Sequence, residues 1–458
     1  MRPLIKKEGL EPVFSNYRPV NNLSFISKVL EKVVLQQFTE HCDKNLLMPD
    51  YQSAYRKNFS CETAVIKIVN DVLCNMESQK LTALAAIDLS AAFDTVDHHV
   101  LLKVLQFRFG VTGLALNWFK NYLSPRGFKV CINTSYSKVR DISYSVPQGS
   151  IYGLSLYSCY ASTIKEVIPR NTDIHGYADD HAIKKSFIPS TELDTILDLQ
   201  KTLQSVKKWM DANRLKMNNS KTEFIIFGSK SNQKKSIAQN LVVNDCNIPK
   251  SPVIKYLGVF LDELLSFKQQ ILSKCKTANY NLYLLRQIRK FLTMDAAKVI
   301  ALGMVISHLD YCNSLLVGLP QSEIKKLQRI QNITAKVVLH RKKYSSSTQA
   351  LKELHWLPIH LRIKYKLCII MFNCKNGECP KYLLDLVEKK QTQREGLRSN
   401  SYSCVNYNVP FCKLSSFQER SFSVQGPKCW NELPYSLKII DSFNMFKKSL
   451  KTHLFTKF

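Results

Sequence analysis

Two adjacent carboxylates, Asp179 and Asp180, follow Tyr177-Ala178 and lie between short apolar runs. Like charges on neighbouring residues repel, so a fold that sets them between buried strands must leave them in water or neutralise them with a cation. A second acid has a matching context upstream, where the apolar run Leu81-Thr82-Ala83-Leu84-Ala85-Ala86-Ile87 ends at Asp88. That run predicts a buried strand delivering Asp88 at its carboxyl end, and residues 177–180 predict a hairpin tip. If the two strand ends meet, the three carboxylates can hold two divalent ions, one activating an attacking hydroxyl and one stabilising a leaving oxygen. Adjacent strand residues face opposite sides, so Asp179 and Asp180 need not contribute equally, and Asp179 is expected to be the stronger ligand.

The chain carries a formal net charge of +29, unevenly placed: residues 263–458 hold 32 Lys and Arg against 12 Asp and Glu. An excess of this size favours a polyanionic partner, with nucleic acid ahead of an anionic membrane. The 458 residues are 45% hydrophobic, enough for two or three domains around a substantial core. Residues 1–7 turn polar before a signal-like apolar segment develops, and no uncharged run is long enough to span a bilayer. The 14 cysteines are scattered; Cys368, Cys374 and Cys379 lack zinc-site spacing, which leaves reduced structural thiols.

Periodicity organises the rest. Val29, Leu30, Val33, Val34 and Phe38 recur at helical spacing in a mixed front lobe ending near Met76. A helix is predicted from His99 to Tyr122, interrupted at Gly110-Val111-Thr112-Gly113, then a strand at residues 128–132. Residues 191–210 read as a helix, residues 224–227 and 254–259 as strands, and residues 229–252 as a polar loop or loose hairpin. Residues 263–340 look helical: Ile324, Leu327, Ile330, Val337 and Val338 share one face, while Lys325, Lys326, Arg329 and Lys336 share the other. That basic stripe is either a solvated face or a phosphate-binding one. Residues 388–403 are the best linker candidate.

Five segments occur in one order: residues 88–98 (Asp-Leu-Ser-Ala-Ala-Phe-Asp-Thr-Val-Asp-His), Val146-Pro147-Gln148-Gly149-Ser150, Tyr177-Ala178-Asp179-Asp180, Asn219-Ser220-Lys221-Thr222-Glu223 and Tyr256-Leu257-Gly258-Val259. This order resembles motifs A to E of reverse transcriptases, specifically those of long interspersed (non-LTR) retrotransposons of the jockey and chicken-repeat type. Flanking segments extend the resemblance over essentially the whole chain: residues 16–20, Gln52-Ser53-Ala54-Tyr55-Arg56 and residues 60–64 in front, and residues 309–314, 355–358 and 430–434 behind.

The resemblance implies an α+β right-hand palm polymerase, with fingers over 1–80, palm over 81–262, a helical thumb over 263–345 and a mainly helical basic C-terminal region over 346–458. It implies an RNA-directed DNA polymerase that extends a primer 3′-hydroxyl with dNTPs on an RNA template. Asp88, Asp179 and Asp180 match its metal-binding acids and the Leu89 carbonyl a backbone ligand, with Mg²⁺ suited to such a hard-oxygen site and Mn²⁺ an alternative. Phe93 falls where the family keeps an aromatic gate against the ribose 2′-hydroxyl, core packing being the plainer role. Gln148 and Gly149 match the nucleotide and template pocket, where glycine permits close backbone approach. Lys221 matches the lysine that protonates pyrophosphate, Arg56 a fingers contact to the triphosphate, and Tyr256, Leu257 and Gly258 the primer grip. Asp94, Asp97, His98 and His99 read as capping or supporting groups.

Two departures stand out. Ile151-Tyr152-Gly153-Leu154-Ser155-Leu156 lacks the family's usual proline and sets Tyr152 and Leu154 where they are expected to disturb the nucleotide pocket. His181 stands where Thr is usual. No endonuclease or RNase H pattern is evident, so the chain reads as a truncated copy dependent on a separate endonuclease, working on target DNA in the nucleus if functional and otherwise cytoplasmic. The rival readings are a catalytically inactive nucleic-acid-binding remnant and an RNA-directed RNA polymerase.

Overall fold

A computed structural model describes residues 1–458 apart from 7–8, 91–92, 148, 244–245, 391–405 and 413–416. The linker candidate therefore lies almost wholly outside the described residues, and so does Gln148. The organising element is a four-stranded antiparallel sheet in the order Glu223–Phe227, Leu81–Ile87, Asp180–Phe187, Asp173–Tyr177. Its central strand is an uninterrupted apolar run because both faces are covered. Leu84, Ala182, Ile225 and Phe227 join a core shared with the helix Cys61–Glu77 and the C-terminal half of the chain. Ala83, Ala85, Ile87, Ile183, Phe224 and Ile226 point the other way, into a core shared with the helices His98–Phe107, Gly153–Tyr160 and Glu192–Ala212. Each fully buried Ile or Phe here contributes about 1.5–3 kcal/mol, so the sheet is the firmest platform available for its loop ends.

Most sequence-level elements are present, with instructive differences. The helix expected over residues 99–122 is two, His98–Phe107 and Gly113–Leu123. Gly110 and Gly113, at φ of +64° and +56°, form the break between them. The strand expected at 128–132 is two short pieces, Gly127–Phe128 and Cys131–Ile132, which pair with different partners. The strand expected at 254–259 is instead a hairpin of Val253–Tyr256 and Val259–Asp262. Its turn residues Leu257 and Gly258 both have positive φ, +46° and +72°, as a tight two-residue hairpin turn requires. The polar stretch 229–252 contains a further hairpin, Asn240–Val243 with Cys246–Pro249.

Beyond the sheet the chain is helical. The helix Lys268–Ile288 packs beside the Val259–Asp262 strand and against the helix Gln321–Val338, whose Ile324, Leu327, Ile330 and Val338 are buried as their spacing predicts. The C-terminal helices Ile359–Lys375, Phe422–Asn431 and Phe443–Thr456 close one continuous core with Lys268–Ile288, Gln321–Val338 and Cys61–Glu77, around Trp430, Phe372 and Phe446. Polar contacts reinforce that union: Lys366 pairs with Glu62 at 2.7 Å, and the Ser423 N–H donates to Asn70 at 2.9 Å. No helix among the described residues is long and apolar enough to cross a membrane.

Candidate active site

The sheet register brings the acids together. His181 is paired with Ile87, so the register carries Asp180 and Asp88, the next residue of each chain segment, to the same end of the sheet, where Asp88 acts on the Asp180 carboxyl. Asp179 occupies the hairpin turn between the paired residues Tyr177 and Asp180. Ala178, the other turn residue, has φ of +57°, a conformation costing a non-glycine residue about 1–2 kcal/mol. Leu89 lies in the short strand Leu89–Ser90, paired with Lys216–Met217. The Asn218 N–H donates to the Asp88 carbonyl at 2.9 Å, so Asp88 takes the hydrogen-bonded position.

The electrostatics of the three acids are not balanced within the protein. Burial, then Asp179 and Asp88, raise the Asp180 carboxyl from 3.8 to about 6, against an opposing pull from Lys221. Burial also raises Asp179; its own backbone N–H opposes this, Asp88 adds to it, and Arg18 and Lys221 counter it. The Lys221 ammonium stands 3.4 Å from Asp88 Oδ2, yet that oxygen is buried without a hydrogen bond. An ion pair with so exposed a lysine is worth only about 0–1 kcal/mol. Among the described residues no three His, Cys, Asp or Glu side chains close into a metal-binding group; the acids are neighbours, not a closed ring. Hard oxygen donors, an unsatisfied buried carboxylate oxygen and mutual repulsion nonetheless make these residues a fit for divalent cations.

Around them the other sequence candidates divide. Phe93 is half-buried, its ring 4.8 Å from that of Tyr157. The Tyr157 hydroxyl is pushed up by burial and then by Asp179. Gly149, at φ of +102°, leaves no room for a Cβ, which would meet the Asn21 carbonyl oxygen at 2.9 Å; its close approach is thus to the backbone at Asn21. Tyr256 is buried, its hydroxyl raised by burial and then by Asp180. The turn at Leu257-Gly258 is capped by the Tyr311 hydroxyl, which donates to the Leu257 carbonyl at 2.6 Å. Arg56 is engaged elsewhere: it donates to the carbonyls of Pro49 and Gln52 at 3.0 and 3.1 Å and stacks 4.1 Å over Phe59.

Tyr152 turns into the core, while Leu154 is partly exposed. Tyr152 is fully buried among Phe38, Trp118, Phe119 and Tyr122, so its bulk is absorbed by the core. The adjoining turn is held by Glu31, buried and accepting from Tyr122 at 2.9 Å, Ser150 at 3.0 Å and the Ile151 N–H at 2.7 Å. His181 is also buried, and burial lowers it to about 4, so it is neutral near pH 7. Asp97 caps its helix, accepting from His99 and Val100 at 2.8 and 3.1 Å.

Sequence reasoning passed over Arg18, Gln52 and Tyr55. Arg18 acts on Asp179, and the Tyr55 hydroxyl is raised by burial and then by both acids of the hairpin. All three lie in segments that carry the resemblance, so the available signal was their position there; nothing in their local pattern assigns a role.

An antiparallel sheet with acids converging at one strand end and a turn beside it is the arrangement of a palm-type nucleic-acid polymerase. The family model described as reverse transcriptase (RNA-dependent DNA polymerase) matches residues 5–261, and the chain belongs to that family. It is 28% identical over 278 residues to the RNA-directed DNA polymerase from mobile element jockey of Drosophila melanogaster, covering 58% of this chain and 29% of the relative. It is 24% identical over 349 residues to the probable RNA-directed DNA polymerase from transposon BS of the same fly, covering 74% and 38%. The chain thus spans about a third of the length of these relatives. A telomerase from Candida tropicalis, solved with a TWJ fragment of telomeric RNA, aligns with a TM-score of 0.38 at 10% identity, covering 72% of this chain and 56% of that one. Reverse transcriptases as a family use divalent metal ions and an RNA template.

Proposed function

We propose that this chain extends the 3′-hydroxyl of a DNA primer with dNTPs on an RNA template, as the reverse transcriptase of a non-LTR mobile element, with fingers, palm, thumb and C-terminal region divided near residues 80, 262 and 345. The observation that carries this reading is the register ending at His181 and Ile87, which brings Asp180 and Asp88 to one end of the sheet with Asp179 in the adjoining turn. Asp88, Asp179, Asp180 and the Leu89 carbonyl would hold Mg²⁺, or Mn²⁺ in its place, which supplies activation of the primer hydroxyl and stabilisation of the departing pyrophosphate. Lys221, 3.4 Å from Asp88, would give a proton to that leaving group. Phe93 would stand against the ribose 2′-hydroxyl, and the Tyr256-Leu257-Gly258 turn, braced by Tyr311, would seat the primer end. Target DNA as primer makes the nucleus the proposed workplace, with the nick made by a separate endonuclease.

Primer extension on poly(rA)/oligo(dT) with Mg²⁺ or Mn²⁺ tests the reading. The intact chain should extend well above the double variant Asp179→Asn, Asp180→Asn; equal signals would sink the enzyme reading. Salt-sensitive binding without extension would support a nucleic-acid-binding remnant instead, an alternative favoured by the engagement of Arg56 inside the fingers.

A further inference from the structure

The fingers reach the catalytic hairpin through one buried amide. Next to the hairpin strand Asp173–Tyr177, the segment 51–54 runs alongside as an added parallel edge. The Gly176 N–H donates to the Tyr51 carbonyl, and the Ser53 N–H donates to the Gly176 carbonyl, both at 2.8 Å. Gly176 allows this approach, since a Cβ there would stand 3.2 Å from Gln52 Nε2 and 3.3 Å from the Tyr51 ring. The pairing seats Gln52, 1% exposed, against the hairpin turn. Its Oε1 accepts from the Ala178 N–H at 2.9 Å, and its Nε2 donates to the Ala178 carbonyl at 3.3 Å. Both backbone groups of the left-handed residue preceding Asp179 are therefore held by one side chain, whose Oε1 also accepts from the Ala54 N–H at 3.1 Å.

The clamp is itself anchored. The Ser53 hydroxyl bonds to the Tyr382 hydroxyl at 3.0 Å, and that hydroxyl bonds to Thr63 at 3.1 Å. The rings of Tyr382 and His175, two residues before the end of the hairpin strand, also meet edge to face, 5.7 Å apart at 89°. Tyr382 belongs to the short helix Lys381–Leu384, well beyond the thumb. An amide suits the clamp for two reasons: it offers both a donor and an acceptor, and it adds no charge beside two carboxylates.

We propose that Gln52 is a positioning residue that fixes the Ala178-Asp179 turn and thereby aims both carboxylates, and that Tyr382 anchors it, making the C-terminal region a working part of the polymerase. This rests on the polymerase reading for its consequence, while the clamp has its own structural readout. A misplacement of about 1 Å at reacting groups costs on the order of 10²-fold in rate. Gln52→Ala should accordingly lower kcat roughly 10- to 100-fold with KM for dNTP little changed, weaken Mn²⁺ binding measured by electron paramagnetic resonance, and speed hydrogen exchange of the peptide containing Ala178. Gln52→Glu preserves size and the acceptor but loses the donor, so it should restore part of the exchange protection and less of the rate. Tyr382→Phe should shift all three readouts in the same direction by less.

Unchanged exchange and kcat in Gln52→Ala, with the intact chain active, would overturn the clamp and leave the polymerase reading standing. Faster exchange at Ala178 in a chain no more active than its Asp179→Asn variant would uphold the clamp and overturn the polymerase reading. If Gln52→Ala also exposes the Leu81–Ile87 strand to exchange, Gln52→Glu decides: full protection at Ala178 without the Nε2 donor would overturn the clamp.

Discussion

The strand Asp180–Phe187 carries carboxylates near both its ends, and the two groups are treated in opposite ways. Toward its far end, Lys184 is buried and bonded to Asp71 at 2.7 Å and to Asp173 at 2.8 Å, and Lys67 adds a second cation beside Asp71 at 2.7 Å. Burial would raise these two acids, but the lysines outweigh it and both are held below the ordinary carboxylate range. At the near end, Asp179 and Asp180 are raised; the exposed Lys221 opposes both shifts, and the backbone N–H and Arg18 oppose that of Asp179. The protein neutralises one acidic cluster with its own cation and leaves the other to be neutralised from outside. That contrast separates a structural ion network from the site proposed to receive divalent ions.

The largest expected effect lies at the closed end. Lys184→Met strands Asp71 without its main partner and should cost about 3–5 kcal/mol of stability in chemical denaturation. Asp180→Asn, at the open end, should abolish extension yet leave stability equal or slightly higher, because it removes a repulsion. If both variants lose stability alike, the distinction between the two ends is wrong.

Proton linkage should run in opposite directions at the two ends. Asp180 titrates near 6 in the fold against 3.8 ordinarily, so its contribution to stability is full below about 3.8 and is lost as pH rises through 6. Asp71 and Asp173 are depressed, so their contribution is present above 3.8 and is lost as pH falls below it. Mg²⁺ should therefore raise the melting temperature at pH 7.5 more than at pH 5, and the Asp179→Asn, Asp180→Asn variant should show neither gain in thermal scans.

Selectivity offers a smaller effect. Phe93→Val opens the space beside Tyr157 and should relax discrimination against ribonucleotides by about 10- to 100-fold, measured as the ratio of kcat/KM values for dNTP and NTP. Unchanged discrimination would return Phe93 to core packing. Least of all, the thumb should register in salt dependence alone. Lys325, Arg329 and Lys336 from the helix Gln321–Val338 join Arg286, Arg341 and Lys343 around a cavity of about 760 Å³, while Lys326 turns aside to pair with Glu323 at 2.8 Å. Replacing Lys325 and Arg329 by Gln should make the logarithmic salt slope of nucleic-acid binding shallower by roughly one for each phosphate no longer neutralised, without altering the metal response.

Much of the site was legible locally. The apolar run ending at Asp88 and the acid pair at a turn are short-range patterns, and their strand and hairpin character followed from residue type alone. Their meeting did not, because register between strands far apart in sequence is set by packing on both faces of the sheet. Arg56 shows the limit from the other side: its motif position suggested a triphosphate contact, and only the structure shows its Nη1 donating to the Pro49 and Gln52 carbonyls and its guanidinium lying over Phe59. Tyr152 looked disruptive beside the motif, yet four aromatic neighbours from distant helices accommodate it. The Ile254 to Val259 run read as one strand because nothing in its composition marks Leu257 as a residue with positive φ.

By itself the sequence determined the kinds of groups present and their order: three acids at strand ends, a lysine after them, an aromatic near the first acid, and a basic helical second half. These are properties of short windows, governed by propensity, charge and periodicity. The tertiary structure decided which acids are partnered and which are left open, that Gln52 grips the turn before Asp179, and that Tyr382 from the C-terminal region stands behind that grip. Such assignments depend on burial and on hydrogen bonds between residues more than a hundred positions apart, where only the closed chain determines which polar group lies within reach of another.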